Sequence, residues 1–236
     1  MLDGETLKVP AAASEASAAI PRSEPRWPPA AALATFMGLN IGLRLWQPQI
    51  EIVGLPWLLP GIEGLTLVVL MAGNPYGVNK RARRLRGVTI VLVGVLVLAA
   101  MWATGLLVYH LVSGAEVTEA AGTLLGVGAL VYFGNNVAFA LLYWLMDGGG
   151  PLSRANRGDF PVDLAFTQHL SSEFAPPGWR PVFLDYLHLG FTNATAFSPT
   201  DVMPLTHRAK YAMLVHSTVA LVLFGLIVAR SVNALT

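Results

Sequence analysis

The sequence predicts an all-α, polytopic transmembrane helical bundle of about five spans, with a re-entrant helix and loop before the last span. Three observations carry that prediction. Of 236 residues, 54% are hydrophobic and only 12% charged, about half the charged fraction of an ordinary soluble chain. Five segments approach the roughly 20 apolar residues a helix needs to cross hydrocarbon, where every backbone N–H and C=O must be satisfied within the segment. A sixth apolar run, Val182 to Phe197, is too short to cross and is stopped by Ser198-Pro199-Thr200-Asp201.

In chain order, residues 1–29 are rich in Ala, Pro, Ser and Glu and contain no apolar run long enough for a secretory signal, which predicts a disordered tail. Residues 30–112 form an amino-terminal set of transmembrane helices. Ala30 to Trp46 is short and carries Arg44, which can snorkel to the interface. Val53 to Ala72 contains Pro56, Pro60 and Glu63, so a kinked span and a partly re-entrant segment are both open. Val88 to Val112 and Thr123 to Met146 have no charge at all, and Tyr211 to Val228 lies between Lys210 and Arg230.

Loop 74–87 between the second and third spans holds Lys80, Arg81, Arg83, Arg84 and Arg86 and no acid, whereas the next connection holds Glu116 and Glu119 and no base. The positive-inside rule puts the basic loop and the amino terminus in the cytoplasm. The basic residues are nearly contiguous and outside the apolar run, which suits orientation or anionic-lipid contact rather than voltage sensing. Fifteen Lys plus Arg against fourteen Asp plus Glu leave a net charge of +1, so no nucleic-acid partner is implied.

The connection from Asp147 to Pro204 opens with a glycine turn, Asp147-Gly148-Gly149-Gly150-Pro151, and its first part is broken by Pro161, Pro176, Pro177 and Pro181, predicting a surface-lying stretch. Val182 to Phe197 then predicts a half-membrane helix, followed by a polar irregular strand and the last span. Irregular backbone at membrane depth survives only when buried in protein or lining a wet cavity, so a pore or pocket is implied. Thr192, Asn193, Thr195, Ser198, Thr200 and Asp201 offer closely spaced oxygens that, repeated around an axis, can replace part of a cation's water shell. The bland reading is a polar loop packing the bundle, its hydroxyls bonded to their own backbone and Asp201 capping a turn.

The run Phe191-Thr192-Asn193-Ala194-Thr195-Ala196-Phe197-Ser198-Pro199-Thr200-Asp201-Val202-Met203-Pro204-Leu205-Thr206, followed by His207-Arg208-Ala209-Lys210 and an apolar helix, resembles the pore module of tetrameric potassium channels. Asp201, Pro204 and Thr206 stand at matching positions. The resemblance implies a pore-like module over 123–236, with outer helix 123–146, re-entrant pore helix and loop 182–204, and inner helix 207–232. It also implies a homotetramer in the cell membrane that passes monovalent cations. The filter positions would be Ala196, Phe197, Ser198, Pro199 and Thr200, beside Thr195 and Asp201. Neither family glycine is present there, and those glycines let alternate carbonyls face the ion; weak discrimination among cations is the expectation. The family places the filter mouth outside, whereas charge counting puts residues 147–204 inside, and both hold only if one of the first two segments fails to cross.

Glu63 is a candidate ion or proton site. Of Asn135 and Asn136, adjacent amides on one helix, Asn136 can line a pore while the other bonds a neighbouring helix. His188 and His216 can gate by protonation or bond a neighbour; Asp185 and Tyr186 can anchor the half-helix. No catalytic residue, cofactor or metal site is predicted: zinc and serine-elbow motifs are missing, the five histidines never stand three or four apart, and there is no cysteine. A non-conducting structural membrane protein or a small transporter is the alternative, the latter needing a dimer because the chain has no internal repeat.

Overall fold

The computed structural model describes residues 24–46, 57–72, 80–113, 121–156, 162–171, 173, 175–176, 179–196 and 201–233. Eight helices and a two-stranded ladder lie within them: α1 (Trp27–Trp46), α2 (Leu58–Ala72), α3 (Lys80–Ser113), α4 (Ala121–Met146), α5 (Pro151–Asn156), β1 (Leu164–Phe166), α6 (Thr167–Leu170), α7 (Phe183–Ala196), β2 (Val202–Pro204) and α8 (His207–Asn233). Three of the helices, in α3, α4 and α8, are long and apolar enough to cross a membrane.

Helix starts follow local chemistry. Pro28 and Pro29 open α1 and Pro60 lies in the first turn of α2, where an absent N–H breaks no intrahelical bond. The last residues of the segment expected as a disordered tail are therefore ordered from Glu24 onward; residues 1–23 lie outside the described residues. The basic run expected as a loop also differs: α3 begins at Lys80, so all five basic residues belong to its first two turns. Lys and Arg are good helix formers and no Gly or Pro interrupts Lys80 to Arg86. At about 1.5 Å per residue, the 34 residues of α3 reach roughly 51 Å, well beyond a hydrocarbon core.

α4 is the central helix and packs against α1, α3, α7 and α8. Arg26, just before α1, donates to the carbonyl of Leu70 near the end of α2 at 3.0 Å, and Asn40 further along α1 donates to Glu63 near the start of α2 at 2.8 Å. The two helices are thus antiparallel. One apolar cluster, including Leu33, Val93, Leu141, Phe183, Tyr186 and Leu189, fills the end of the bundle where α7 and α8 begin; a smaller one of Leu107, Leu124, Val131, Leu223 and Ile227 fills the other end. The outside is apolar too. Leu98, Trp102, Leu214 and Phe224 are each about 60% exposed or more, far from the arrangement of a surface helix in water.

α4 ends in a tight turn at Asp147–Gly149, with φ of 56°, 77° and 90° at Gly148, Gly149 and Gly150. Three successive left-handed residues are tolerable only for glycine. Beyond it, the stretch expected to lie on the surface is partly interior. Asp163, Leu164, Ala165 and Phe166 are all buried, because β1 pairs antiparallel with β2 (Leu164 with Pro204, Ala165 with Met203, Phe166 with Val202) and closes the chain back onto the start of α8.

Candidate functional site

α7 and the returning strand form a hairpin whose two ends lie together. Its helix has fourteen residues, about 21 Å, and Thr167 N–H donates to the carbonyl of Asp201 at 3.0 Å while Asp201 Oδ2 lies 3.5 Å from His188 Nε2. The start of α7, the strand after it and the start of α8 therefore share one end of the bundle. The start of α3 is at that end as well: the Arg86 guanidinium approaches the glycine turn after α4, and Arg26, Arg86, Trp144 and Gly150 line a common cavity.

A network of ionised and polar groups ties this end together. Asp147 is completely buried. Its Oδ1 accepts from Asp163 N–H at 2.8 Å and Leu164 N–H at 3.1 Å, and its Oδ2 from the Tyr186 hydroxyl at 2.6 Å. Asp163, 1% exposed, accepts both Arg208 Nε and Nη2 at 2.6 Å, the Thr206 hydroxyl at 2.7 Å and Gly148 N–H at 3.2 Å. Arg154 donates from Nη1 to the carbonyls of Trp144 and Asp147 at 2.9 and 2.6 Å, occupying orphan carbonyls at the end of α4 where the helix dipole favours a cation. Its Nη2 faces Glu24 Oε2 at 3.5 Å and its guanidinium lies 5.0 Å from the Tyr186 ring centroid. Glu24 also accepts from Trp144 Nε1 and from Phe183 N–H at the start of α7. Arg180 Nη1 donates to the Arg154 carbonyl.

The electrostatics of the two acids differ. Burial pushes the Glu24 carboxyl above its ordinary value of 4.5, against the opposing pull of Trp144, Arg154 and Phe183. Burial acts in the same direction on Asp163, but the Arg208 and Thr206 hydrogen bonds, the Arg208 charge and Gly148 N–H together outweigh it and hold that carboxyl below 3.8. A folded-state pKa depressed below the unfolded one contributes stability above the unfolded value and loses it as pH falls. The Asp163→Asn variant is therefore expected to be less stable than wild type at neutral pH, with the difference shrinking below about pH 4. Melting curves of the two proteins from about pH 7 to 3 check this; the opposite contribution of Glu24 is common to both and cancels.

The residues singled out from sequence are placed in three ways. On the hairpin, Thr195 is exposed, His188 and Asp201 have side chains 63% and 38% exposed, and Thr192 is half-buried. The Thr195 hydroxyl donates to the Phe191 carbonyl at 2.8 Å, and Thr192 to those of His188 and Leu189 at 3.1 Å. Ala196 ends α7, and Phe197, Ser198, Pro199 and Thr200 lie outside the described residues. Inside the bundle, Glu63 is fully buried and bonded to Asn40. His216 is fully buried as well, its ring stacked 4.2 Å from Phe139 and its Nδ1 3.1 Å from the Tyr143 hydroxyl. Asn135 bridges helices by donating to Thr104 Oγ1 at 2.8 Å, whereas Asn136 donates to the Tyr132 carbonyl of its own helix and lies where Gly190 of α7 packs on α4. Asn136 and His216 are thus behind α7 and between helices within one chain, away from the exposed face that carries Thr195.

Sequence reasoning missed Asp147, Arg154, Asp163 and Arg208 as a group. Each looked like an ordinary loop or helix-end charge, and partners lying 39 or 45 residues apart leave no local spacing to find. Asp185, read as an anchor, does act locally by accepting Val182 N–H at 2.7 Å. No family, curated protein or solved structure matches the chain.

Proposed function

We propose that the protein is a multi-pass protein of the cell membrane in which α7 and the strand returning from it form a half-membrane hairpin, entered from the basic, cytoplasmic end, that lines a conduit for monovalent cations between copies of the chain. The observation that carries this reading is the exposed polar edge of the hairpin. His188 and Thr195 are exposed and Asp201 is half-buried beside His188, on a bundle whose surface is otherwise largely apolar along α3 and α8. Such a strip is costly against lipid and favourable against water or a second copy. The hydroxyl protons of Thr192 and Thr195 are committed to the helix, so their oxygens are left as acceptors, the role a cation requires. One chain supplies one wall, and closed symmetry supplies the others.

The shared end of α3, α7 and α8 supports hairpin entry from the cytoplasm by the positive-inside rule, the inverse of the orientation in the potassium-channel family that the sequence resembles. A non-conducting reading rests on the base of the hairpin, where Arg154, Arg208, Glu24 and Asp163 pair with one another and hold structure without needing an ion.

Flux measurements separate the two. Purified protein in liposomes is expected to pass potassium and sodium with weak discrimination and to run as a homo-oligomer, with four copies the number the resemblance implies. Asp201→Asn is expected to reduce flux several-fold at low ionic strength and much less at high salt, since a mouth charge concentrates cations by a screened field. Thr195→Ala is expected to change the potassium-to-sodium ratio. A monomer that passes nothing under any gradient would leave the structural reading standing.

A further inference from the structure

Arg26 and Arg86 are far apart in sequence, yet they line one cavity of about 70 Å³ where α2 finishes, α3 begins and α4 turns. The lining is of two chemical kinds. Two guanidinium groups and the glycine turn at Gly149 and Gly150 provide the polar part, and Leu70 and Leu145 provide the apolar part. Arg26 is fixed there by its bond to the Leu70 carbonyl, and burial pushes its pKa below the ordinary arginine value. Arg86 is exposed, with its Nη2 close enough to the turn that a Cβ on Gly149 would stand 3.6 Å away and one on Gly150 3.9 Å away. These are ordinary contact distances, so that guanidinium lies against the glycine turn at the end of α4. Lys80, Arg81, Arg83 and Arg84 precede it in the first turns of the same helix, and Met71 and Val88 on the adjoining helix ends are exposed and apolar.

We propose that this cavity binds the phosphate of one anionic phospholipid, with the acyl chains running along the apolar ends of α2 and α3. The arginine pair matches a phosphodiester, since planar guanidinium groups engage phosphate oxygens two at a time. The leucines and the exposed apolar surface beside them favour a lipid over a soluble anion. Position agrees as well, because basic groups at the cytoplasmic boundary of a helix bundle face the anionic leaflet. The inference rests on the membrane reading above and adds a ligand to it.

Delipidated protein in non-ionic detergent, titrated with phosphatidylglycerol, phosphatidylcholine and inorganic phosphate and read by native mass measurement, tests it. Phosphatidylglycerol is expected to bind at least tenfold more tightly than phosphatidylcholine. Arg86→Gln is expected to weaken phosphatidylglycerol about tenfold and leave phosphatidylcholine unchanged; Arg86→Lys is expected to restore part of the loss, and Lys210→Gln, at the same end of the bundle, to change nothing. Arg26→Gln is the second variant and is expected to act in the same direction as Arg86→Gln. Equal affinity for the two lipids, or equal behaviour of Arg86→Gln and Lys210→Gln, overturns the site while leaving the membrane reading intact. Inorganic phosphate binding as tightly as phosphatidylglycerol also overturns it, as a soluble-anion site. Retention of neither lipid overturns the site as well, whereas the membrane reading itself fails only if the purified protein stays dispersed without detergent or lipid.

Discussion

Replacing Asp147 with alanine is expected to lower the apparent Tm by roughly 6–12 °C, because it strands three buried donors at once. The N–H groups of Asp163 and Leu164 and the Tyr186 hydroxyl all end on this carboxylate, and a buried donor left without a partner costs about 1–3 kcal/mol. A loss of upward of about 3 kcal/mol converts to that temperature shift in a chain of this size. Water is a poor substitute, since Asp147 is fully buried and its neighbours Leu164 and Tyr186 are too. Asp147→Asn keeps the Oδ1 acceptor for the two N–H groups and is expected to lose less than half as much. Thermal unfolding in detergent, followed by intrinsic fluorescence, compares the variants. A Tm within about 1 °C of wild type for the alanine variant would mean that the network is ornamental.

Gly190→Leu is expected to displace α7 from α4, costing about 1–3 kcal/mol or more from overpacking. A Cβ on Gly190 would meet the Asn136 backbone carbonyl at 3.3 Å and Ala140 Cβ at 3.8 Å, so the obstacle is the rigid wall of another helix. Gly134 is the informative contrast. A Cβ there would meet the Phe36 ring at 2.3 Å, a closer approach, but a side chain can swing where a backbone cannot. Gly190→Ala adds only the Cβ that stands 3.3 Å from that carbonyl, and is expected to cost less than leucine but more than a substitution at an open helix glycine such as Gly94. If the hairpin lines a conduit, Gly190→Leu also loses flux under conditions where Gly134→Ala keeps it, and unchanged stability and flux in Gly190→Leu would show that the close α4–α7 approach is dispensable.

The bundle was legible where one-dimensional pattern decides structure. The uncharged runs Val88 to Val112 and Thr123 to Met146 fall inside α3 and α4, and the half-helix Val182 to Phe197 agrees with α7 to within a residue at each end, because length and apolarity are properties of contiguous chain. The boundary after α4 was legible as well, from three glycines before a proline. Partners distant in sequence were illegible. Nothing around Asp163 foretells that Arg208 and Thr206 complete it, and the stretch holding it is polar and proline-broken, a surface pattern, although β1 is buried. The basic run at Lys80 reads as loop by its charge, yet it is helical because Lys and Arg are good helix formers. The candidate pore residues Thr195 and Asp201 were found by composition, yet their exposed edge depends on which face of α7 meets α4, and that is set by Gly190 and Asn193, the latter bonded to the Met213 carbonyl.

The clamp at the hairpin base also dictates an order of events during synthesis. Asp163 leaves the ribosome 45 residues before Arg208, an interval of roughly 2–9 s at about 5–20 residues per second. Throughout it, the carboxylate that will be sealed by Arg208 and Thr206 has neither, and β1 lacks its ladder partner. The half-helix α7, too short to be held as a span, emerges inside the same window. Its bonds to Glu24 and Asp147 can form as it emerges, whereas the bond from Asn193 to the Met213 carbonyl waits for α8. Truncation before Thr206 therefore removes more than the last helix: it leaves the buried Asp163 carboxyl without Thr206 and Arg208.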